Sequence, residues 1–235
     1  MTLHNHTYAK AHSVSPASCH WAGGSATIYT RRFFSNFRLP QIDMEVLHPG
    51  EKKRLEGNLH REKIHRSMAA RAQLRRMLGQ ILRCDPRDVL LQSDAEGRPM
   101  LHPQYGAISR MLDFSVSYVP EGFAIGVTHQ RRIGIDLQGF KPRQEASFER
   151  LFGSGFARRK VTTLEAHEVW TRMEAYGKMQ GQGLGHGMHR LYRIALEPEI
   201  ADINCHFLDF RFAHRVAMSI CLTGEYQGPV CFLNH

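Results

Sequence analysis

The sequence has no apolar run near the roughly 18 residues that a membrane-spanning helix needs. It also lacks the charged-then-apolar pattern of a secretion signal at its start, so we expect a cytoplasmic protein with no membrane partner. Its five cysteines are scattered and form no Cys-x-x-Cys pair, which argues against a disulfide framework and a structural zinc site. His186 and His189 have a ligand-like spacing, but the glycines around them favour a loop and the sequence suggests no third ligand.

Charge is the strongest compositional signal. The 235 residues are 42% hydrophobic, enough for a core, and carry a formal net charge of +9, which predicts an anionic partner. Residues 1–115 hold 17 Lys and Arg against 10 Asp and Glu, and a basic amphipathic helical region is expected between Glu51 and Arg87. Because no nucleic-acid-binding motif accompanies this region, we expect no nucleic-acid partner, although a basic nucleic-acid-binding module remains the alternative.

Hydrophobic patterning predicts a mixed chain with a poorly ordered leader over residues 1–25. Helices are expected over residues 144–156 and 164–180, the second followed by a glycine-rich loop at 181–187. Strands are expected at Ala26–Thr30, Val89–Gln92, Asp113–Ser117, Phe123–Val127 and Ile133–Ile135, near Tyr192–Leu196 and Cys205–Phe212, and at Arg215–Cys221.

Two short segments carry the residues with the clearest chemistry. Asp136 ends the predicted strand Ile133-Gly-Ile-Asp, while Glu174 and Lys178 lie one turn apart on one face of the second predicted helix. A strand-end carboxylate facing a helical glutamate would offer the oxygen ligands that Mg²⁺ accepts. Taken singly, such an aspartate more often caps a turn, and a Glu–Lys pair is usually a solvated helix face.

The order of the motifs adds to their spacing. The chain reads Phe114-Ser-Val-Ser-Tyr118, Ile133-Gly-Ile-Asp136, Trp170-x-x-x-Glu174-Ala-x-x-Lys178 and Gly181-x-Gly183-Leu184. With Arg71-Ala-Gln-Leu-Arg75 and Gly97-Arg-Pro99 upstream, this order resembles the surfactin-synthetase-activating type of 4′-phosphopantetheinyl transferase over roughly residues 26–223.

The resemblance implies an α+β fold, in a monomer, of two similar pseudo-symmetric lobes with the ligand cleft between them. Residues 26–113 would form the N-terminal lobe, which binds the nucleotide of coenzyme A. Residues 114–235 would form the C-terminal lobe, with the magnesium site, the catalytic motifs and the docking surface for a carrier protein.

The implied enzyme transfers the phosphopantetheine arm of coenzyme A to a serine of an acyl or peptidyl carrier protein in fatty-acid, polyketide or nonribosomal peptide biosynthesis, releasing 3′,5′-ADP. Asp136 and Glu174 would hold Mg²⁺, Glu174 would also accept the serine proton, and Lys178 would neutralise phosphate charge. By position in the family motifs, the coenzyme A contacts would be Arg54, Ser67, Arg75, Arg98, Ser117, Tyr118 and Lys178.

Three positions depart from the family pattern. Gln138 replaces the usual second acid of the strand motif and would contribute an amide oxygen or hold a water. Met173 replaces a lysine and is expected to remove a cation from the phosphate pocket, and Tyr118 replaces a histidine. A degenerate member that binds coenzyme A or a carrier protein without transfer is therefore the second hypothesis.

An acidic carrier protein is the expected macromolecular partner. The candidate docking segment carries arginines and a lysine among phenylalanines and a leucine, a composition suited to a charged, partly apolar interface. The alternative is that the apolar residues are core and the basic ones are merely solvated. The segment comprises Arg143, Phe148, Arg150, Leu151, Phe152, Phe156, Arg158, Arg159 and Lys160.

Overall fold

The chain folds into an α+β arrangement of nine strands and six α-helices in the part that the structure describes. The computed structural model describes residues 25–33, 37–53, 61–95, 97–139, 163–184, 187–213, 215–224 and 230–234. The strands are β1 (Ala26–Arg32), β2 (Leu91–Ser93), β3 (Pro99–Leu101), β4 (Leu112–Val119), β5 (Gly122–His129), β6 (Ile133–Gly139), β7 (Cys205–Ala213), β8 (Val216–Thr223) and β9 (Val230–Asn234). The helices are α1 (Gln41–Glu45), α2 (Pro49–Lys52), α3 (Arg61–Leu82), α4 (Ile108–Met111), α5 (Thr163–Gln180) and α6 (Met188–Leu196).

The strands form two larger sheets and one hairpin. The first sheet has the order β4-β5-β1-β9, the second has the order β6-β8-β7, and β2 pairs with β3. All neighbouring pairs are antiparallel except β1 and β9. The first sheet therefore includes strands from both sides of the predicted lobe boundary at residue 113, because β4 and β5 lie in the same sheet as β1. The predicted division into two pseudo-symmetric lobes stays a prediction.

The two larger sheets meet where the edge strand β4 lies against the edge strand β6. Three side chains of β4 accept hydrogen bonds from backbone N–H groups of β6: Asp113 from Ile133 at 2.9 Å, Ser115 from Ile135 at 3.0 Å and Ser117 from Leu137 at 3.0 Å. Residues two apart in a strand point to the same side, so this seam of side chains follows directly from the Asp-x-Ser-x-Ser spacing. It satisfies donors at a sheet edge that would otherwise need another strand.

Helix α5 covers the second sheet at very short range. A Cβ atom added to Gly134 of β6 would lie 1.8 Å from the carbonyl oxygen of Ala175, so a glycine is needed where the helix crosses the strand. A Cβ added to Gly177 would lie 2.5 Å from the carbonyl oxygen of Gly183, where the loop after the helix folds back. These two contacts bring α5 against both β6 and the loop.

The helix predicted over residues 164–180 is confirmed as Thr163–Gln180. The strand near Tyr192–Leu196 is wrong: the segment is α6, whose buried Leu191, Ile194 and Ala195 have helical i, i+3, i+4 spacing. The strand predicted to begin at Val89 begins at Leu91.

The predicted leader lies outside the described residues except for its last position, and the predicted helix at 144–156 lies outside them entirely. Within the part of the chain that the structure describes, none of the helices is long and apolar enough to cross a membrane.

Candidate active site

Asp136 and Lys178 form a partly buried ion pair at the seam between the sheets. Asp136 Oδ1 accepts hydrogen bonds from Lys178 Nζ at 2.7 Å and from Ser117 Oγ at 3.0 Å. Lys178 Nζ also donates to the carbonyl of Ile135 at 3.0 Å. The Asp136 side chain is 8% exposed and that of Lys178 is 30% exposed, so the carboxylate is buried and the lysine side chain is partly accessible. The site is thus assembled from β4, β6 and α5.

Glu174 adds a second carboxylate to this face. It lies one turn before Lys178 on α5. Its pKa is raised from 4.5, first by burial and then by the negative charge of Asp136, while Lys178 opposes the shift. The two carboxylates therefore interact electrostatically, and a cation between them would relieve their repulsion.

The residues fit a magnesium ion. In the described ranges, no three His, Cys, Asp or Glu side chains cluster in a way that could hold a metal by themselves. Mg²⁺ needs no such cluster, because it commonly takes one or two carboxylates and fills its other positions with water and substrate phosphates. Asp136 and Glu174 would supply the carboxylates. Gln138, two residues along β6 and half-buried, lies on the same strand face as Asp136.

Two arginines cap the C-terminal end of α5. Arg98 Nη1 donates to the carbonyl of Lys178 at 2.6 Å, and Arg132 Nη2 donates to that of Gln180 at 2.9 Å. Positive charge is favourable at this end of a helix dipole. Arg98 also lines a cavity of about 250 Å³ beside Ser115, Gly177 and Lys178. Its predicted contact with coenzyme A phosphates stays a prediction.

Arg75 lies in the wall of a second, larger cavity. Its side chain is 3% exposed, with Nε 2.7 Å from Glu51 Oε2 and Nη1 2.8 Å from the carbonyl of Val89. The cavity has a volume of about 470 Å³ and is also lined by His48, His102 and Arg71. Arg71 Nε lies 3.3 Å from Glu51 Oε1 and is more accessible than Arg75.

The position of Arg71 in the lining of this cavity was not predicted from the sequence, although its spacing carries a signal. Ser67, Arg71 and Arg75 follow each other at intervals of four on α3, which brings them to neighbouring positions along the helix. Ser67 Oγ donates to the carbonyl of Ile64 at 2.9 Å and is part-buried.

Ser117, Tyr118 and Met173, which the sequence also assigns to the site, lie in different environments. Ser117 lies in the ion-pair network, whereas Tyr118, the next residue of β4, is 38% exposed. Met173 is fully buried in the core beneath α5, about 100° around the helix from Glu174. The expectation that Met173 removes a cation from the phosphate pocket stays a prediction. Arg54 and the docking segment from Arg143 to Lys160 lie outside the described residues.

A second polar network holds the middle of α5 to the sheet. Arg172 donates to Asp209 of β7 from Nε at 2.9 Å and from Nη2 at 2.5 Å. Ser219 Oγ donates to the other oxygen of Asp209 at 2.7 Å and lies 2.7 Å from Thr171 Oγ1. Ser219 is also the strand partner of Asp136, so this network fixes α5 directly beside the candidate site. The distance in sequence between Arg172 and Asp209 hid their pairing.

Comparison with known proteins adds a distant similarity. The chain is 25% identical over 175 residues to a phosphopantetheinyl transferase of Thraustochytrium sp., an alignment covering 61% of this chain and 59% of that protein. The chain thus matches less than two thirds of that relative's length. No family model matches the sequence. The similarity supports the phosphopantetheinyl transferase superfamily and does not distinguish its types.

Proposed function

We propose that this protein transfers the 4′-phosphopantetheine arm of coenzyme A to a serine hydroxyl of an acyl or peptidyl carrier protein and releases 3′,5′-ADP. The observation that carries the proposal is the Asp136–Lys178 ion pair at the junction of the two sheets, with Glu174 one turn before Lys178 on α5 and its pKa raised in part by the charge of Asp136. The distant similarity to a phosphopantetheinyl transferase supports the same reaction class.

The reaction forms a bond between the serine oxygen and the phosphorus next to the pantetheine arm. The bond from that phosphorus to the bridging oxygen breaks, and 3′,5′-ADP leaves with the electron pair. Glu174 accepts the serine proton, directly or through a water, and the positive charge of Lys178 neutralises charge that develops on the phosphate oxygens. Mg²⁺, when bound by Asp136 and Glu174, supplies further positive charge at the diphosphate.

The network around Asp136 orients these groups before substrate arrives. Ser117 receives the N–H of Leu137 and donates to Asp136, which fixes the carboxylate. Lys178 is fixed in turn by Asp136 and by the carbonyl of Ile135. Preorganised charges of this kind contribute to transition-state stabilisation because they need not reorient during the reaction.

The proposal is tested by product formation. The purified protein is incubated with Mg²⁺, coenzyme A and a panel of apo-carrier proteins from fatty-acid, polyketide and peptide synthases, and 3′,5′-ADP is quantified by chromatography. We expect carrier-dependent release of 3′,5′-ADP. Binding of coenzyme A without product for any carrier would instead favour the degenerate binder suggested by Gln138, while binding of neither ligand would contradict both.

The cavity at Arg71 and Arg75 is proposed to receive the 3′-phosphate end of coenzyme A. The two arginines lie beside a single carboxylate, that of Glu51. Because Arg75 is buried in the wall, Arg71 is the better residue to replace. Arg54, Ser67 and Tyr118 remain proposed contacts of the same ligand.

Arg71→Gln should raise the Michaelis constant for coenzyme A about tenfold, because a hydrogen bond between charged groups contributes about 1.5–3 kcal/mol. The Michaelis constant for 3′-dephospho-coenzyme A should change less than about twofold, because that substrate lacks the phosphate that Arg71 would bind. Steady-state kinetics with both substrates make the comparison. Equal effects on the two substrates would place the 3′-phosphate elsewhere.

Gln138→Glu should lower the Mg²⁺ concentration needed for half-maximal rate, because a third carboxylate increases the attraction for the cation. Gln138→Asn is the matched control, since it leaves the charge of the site unchanged. The measurement is a magnesium titration of the transfer rate at saturating coenzyme A. An unchanged requirement in Gln138→Glu would show that this side chain does not face the metal.

An acidic carrier protein is proposed to dock on the segment from Arg143 to Lys160, as the charge of that segment suggests.

A further inference from the structure

Arg98 joins three elements through a single guanidinium group. Its Nη1 lies 2.6 Å from the carbonyl of Lys178 and 3.5 Å from that of Met179, both at the end of α5. Its Nη2 lies 2.6 Å from Asp113 Oδ1, and 3.2 Å from each of the carbonyls of Phe114 and Ile133. The side chain is 14% exposed. Residue 98, on the turn before β3, thus holds α5, β4 and β6 together.

The donor count leaves little for a ligand. An arginine has five N–H groups, of which four are on the two Nη atoms. These four N–H groups face five protein acceptors. A phosphate approaching either Nη atom would have to displace a carbonyl or the Asp113 carboxylate. The positive charge of Arg98 can still attract a nearby phosphate without such displacement. Two parallel hydrogen bonds from the Nη atoms to a phosphate would require it.

The acceptors belong to the segments that present the candidate catalytic groups. Asp113 accepts a hydrogen bond from Arg98 on Oδ1 and from the N–H of Ile133 on Oδ2. Arg98 also donates to the carbonyl of Ile133. Both the N–H and the carbonyl of Ile133, three residues before Asp136, are therefore hydrogen-bonded to side chains. At the other end of the same guanidinium, the carbonyl of Lys178 is held directly.

We propose that Arg98 is a positioning residue, which fixes the last turn of α5 against the start of β6 and so sets the geometry of Lys178 against Asp136 and an incoming phosphate. The inference rests on the proposed transfer reaction for its kinetic part and on the hydrogen bonds alone for its structural part. It assigns Arg98 to the support of the site instead of to direct recognition of coenzyme A.

Arg98→Lys is the first test, because lysine keeps the charge and loses the fork that reaches α5, β4 and β6 together. We expect kcat to fall at least about tenfold, since a catalytic group displaced by about 1 Å can cost on the order of 100-fold in rate. The dissociation constant for coenzyme A, measured by calorimetry without carrier, should change by less than about twofold, within the spread expected when no direct contact is lost. Hydrogen exchange should quicken in the last two turns of α5, and kcat should be compared at equal folded fraction.

Arg132→Lys is the matched control. Arg132 caps the same helix through the carbonyl of Gln180, and this hydrogen bond involves neither β4 nor β6. Its kcat should stay within about twofold of the parent protein, because an exposed single hydrogen bond contributes little. A fall in kcat equal to that of Arg98→Lys would assign the effect to helix capping in general and overturn the proposal.

Asp113→Asn provides a second, independent variant should Arg98→Lys fold poorly. It keeps the size of the side chain and weakens the anchor of Arg98. If Arg98 is a positioning residue, Asp113→Asn should show the same loss of kcat and the same faster hydrogen exchange in α5. The double variant with Arg98→Lys should lose no more kcat than the more affected single variant. If Arg98 instead bound phosphate directly, Arg98→Lys would weaken coenzyme A binding at least about tenfold with unchanged exchange in α5, and Asp113→Asn would not lower kcat.

The two levels of the proposal fail in different ways. Absence of transfer by the parent protein contradicts the proposed function, while the exchange experiment still tests the structural link between Arg98 and α5. Active parent protein with unchanged kcat and unchanged exchange in Arg98→Lys contradicts the positioning role alone.

Discussion

Glu174→Gln should abolish phosphopantetheine transfer while making the metal-free protein more stable at neutral pH. Transfer is lost because glutamine neither accepts a proton nor offers a charged ligand, and removal of a general base alone costs about 10²–10⁴-fold in rate. Stability rises because burial and the charge of Asp136 disfavour the ionised form of Glu174, as its raised pKa shows. The variant thus separates a role in function from a role in the fold.

The sign of the pH dependence follows from the direction of that shift. A carboxyl with a folded-state pKa above its ordinary value of 4.5 favours the folded state fully below that value and loses this contribution as the pH rises through the raised pKa. The variant and the parent protein should therefore unfold at nearly equal temperatures near pH 4, with the variant increasingly more stable toward pH 7. Thermal unfolding in chelator across this range measures the difference. A variant less stable than the parent at pH 7 would contradict the electrostatic environment assigned to Glu174.

Asp136→Asn is the informative partner of that variant. It should also abolish transfer, but it should lower stability, because it removes the charge that pairs with Lys178 and weakens the bond from Ser117. Opposite stability effects with the same loss of transfer would identify Asp136 as structurally paired and Glu174 as held ready for a cation. The same thermal unfolding experiment in chelator compares the two.

Gly134→Ala should be the most damaging single-methyl substitution in the described core. Its Cβ would lie 1.8 Å from the carbonyl oxygen of Ala175 and 2.6 Å from the amide nitrogen of Met179, which are backbone atoms of α5. Neither a rotamer change nor a flexible side chain can relieve the contact, so the helix must move away from the strand. We expect a loss of about 3 kcal/mol or more in the free energy of unfolding, at the upper end for overpacking, measured by urea denaturation.

The matched control is Gly139→Ala at the end of the same strand. A Cβ there would have its nearest neighbour, the Glu121 carboxylate, at 3.8 Å. The change in unfolding free energy should stay within about 1 kcal/mol, and reduced freedom of the unfolded chain favours the alanine. Transfer by folded Gly134→Ala should fall as well, because α5 carries Glu174 and Lys178 away from Asp136. Equal stabilities for the two variants would show that α5 does not rest on Gly134.

Part of this arrangement could be predicted from local patterns. The strand carrying Asp136 and the helix carrying Glu174 and Lys178 have clear periodicity, so their existence follows from the sequence. The predicted strand end at Asp136 is wrong, because β6 continues to Gly139 and places Asp136 in its middle. The limits of the helix also follow from the sequence. Helix α6 did not, because Tyr192 and Ile194 favour strands by propensity and the helical spacing of its buried residues competes with that signal. Tertiary packing against α5 decided the outcome.

The rest of the site depends on contacts between residues far apart in the chain. The sequence places Arg98 in a tight turn, but its acceptors on α5 lie 80 and 81 residues away. The hydroxyl groups of Ser115 and Ser117 replace backbone pairing between two sheet edges, a substitution that strand periodicity does not encode. Arg75 was expected to contact coenzyme A, but its side chain is 3% exposed and forms part of a cavity wall, which the sequence does not indicate.

The most direct test of the central claim is the intact mass of an apo-carrier protein after incubation with this protein, coenzyme A and Mg²⁺. The carrier should gain the mass of one phosphopantetheine arm, at its acceptor serine, with the parent protein. No gain should occur with Glu174→Gln, with Asp136→Asn, or with a carrier whose acceptor serine is alanine. Equal modification by the parent protein and by either site variant would contradict the assignment of the reaction to Asp136 and Glu174.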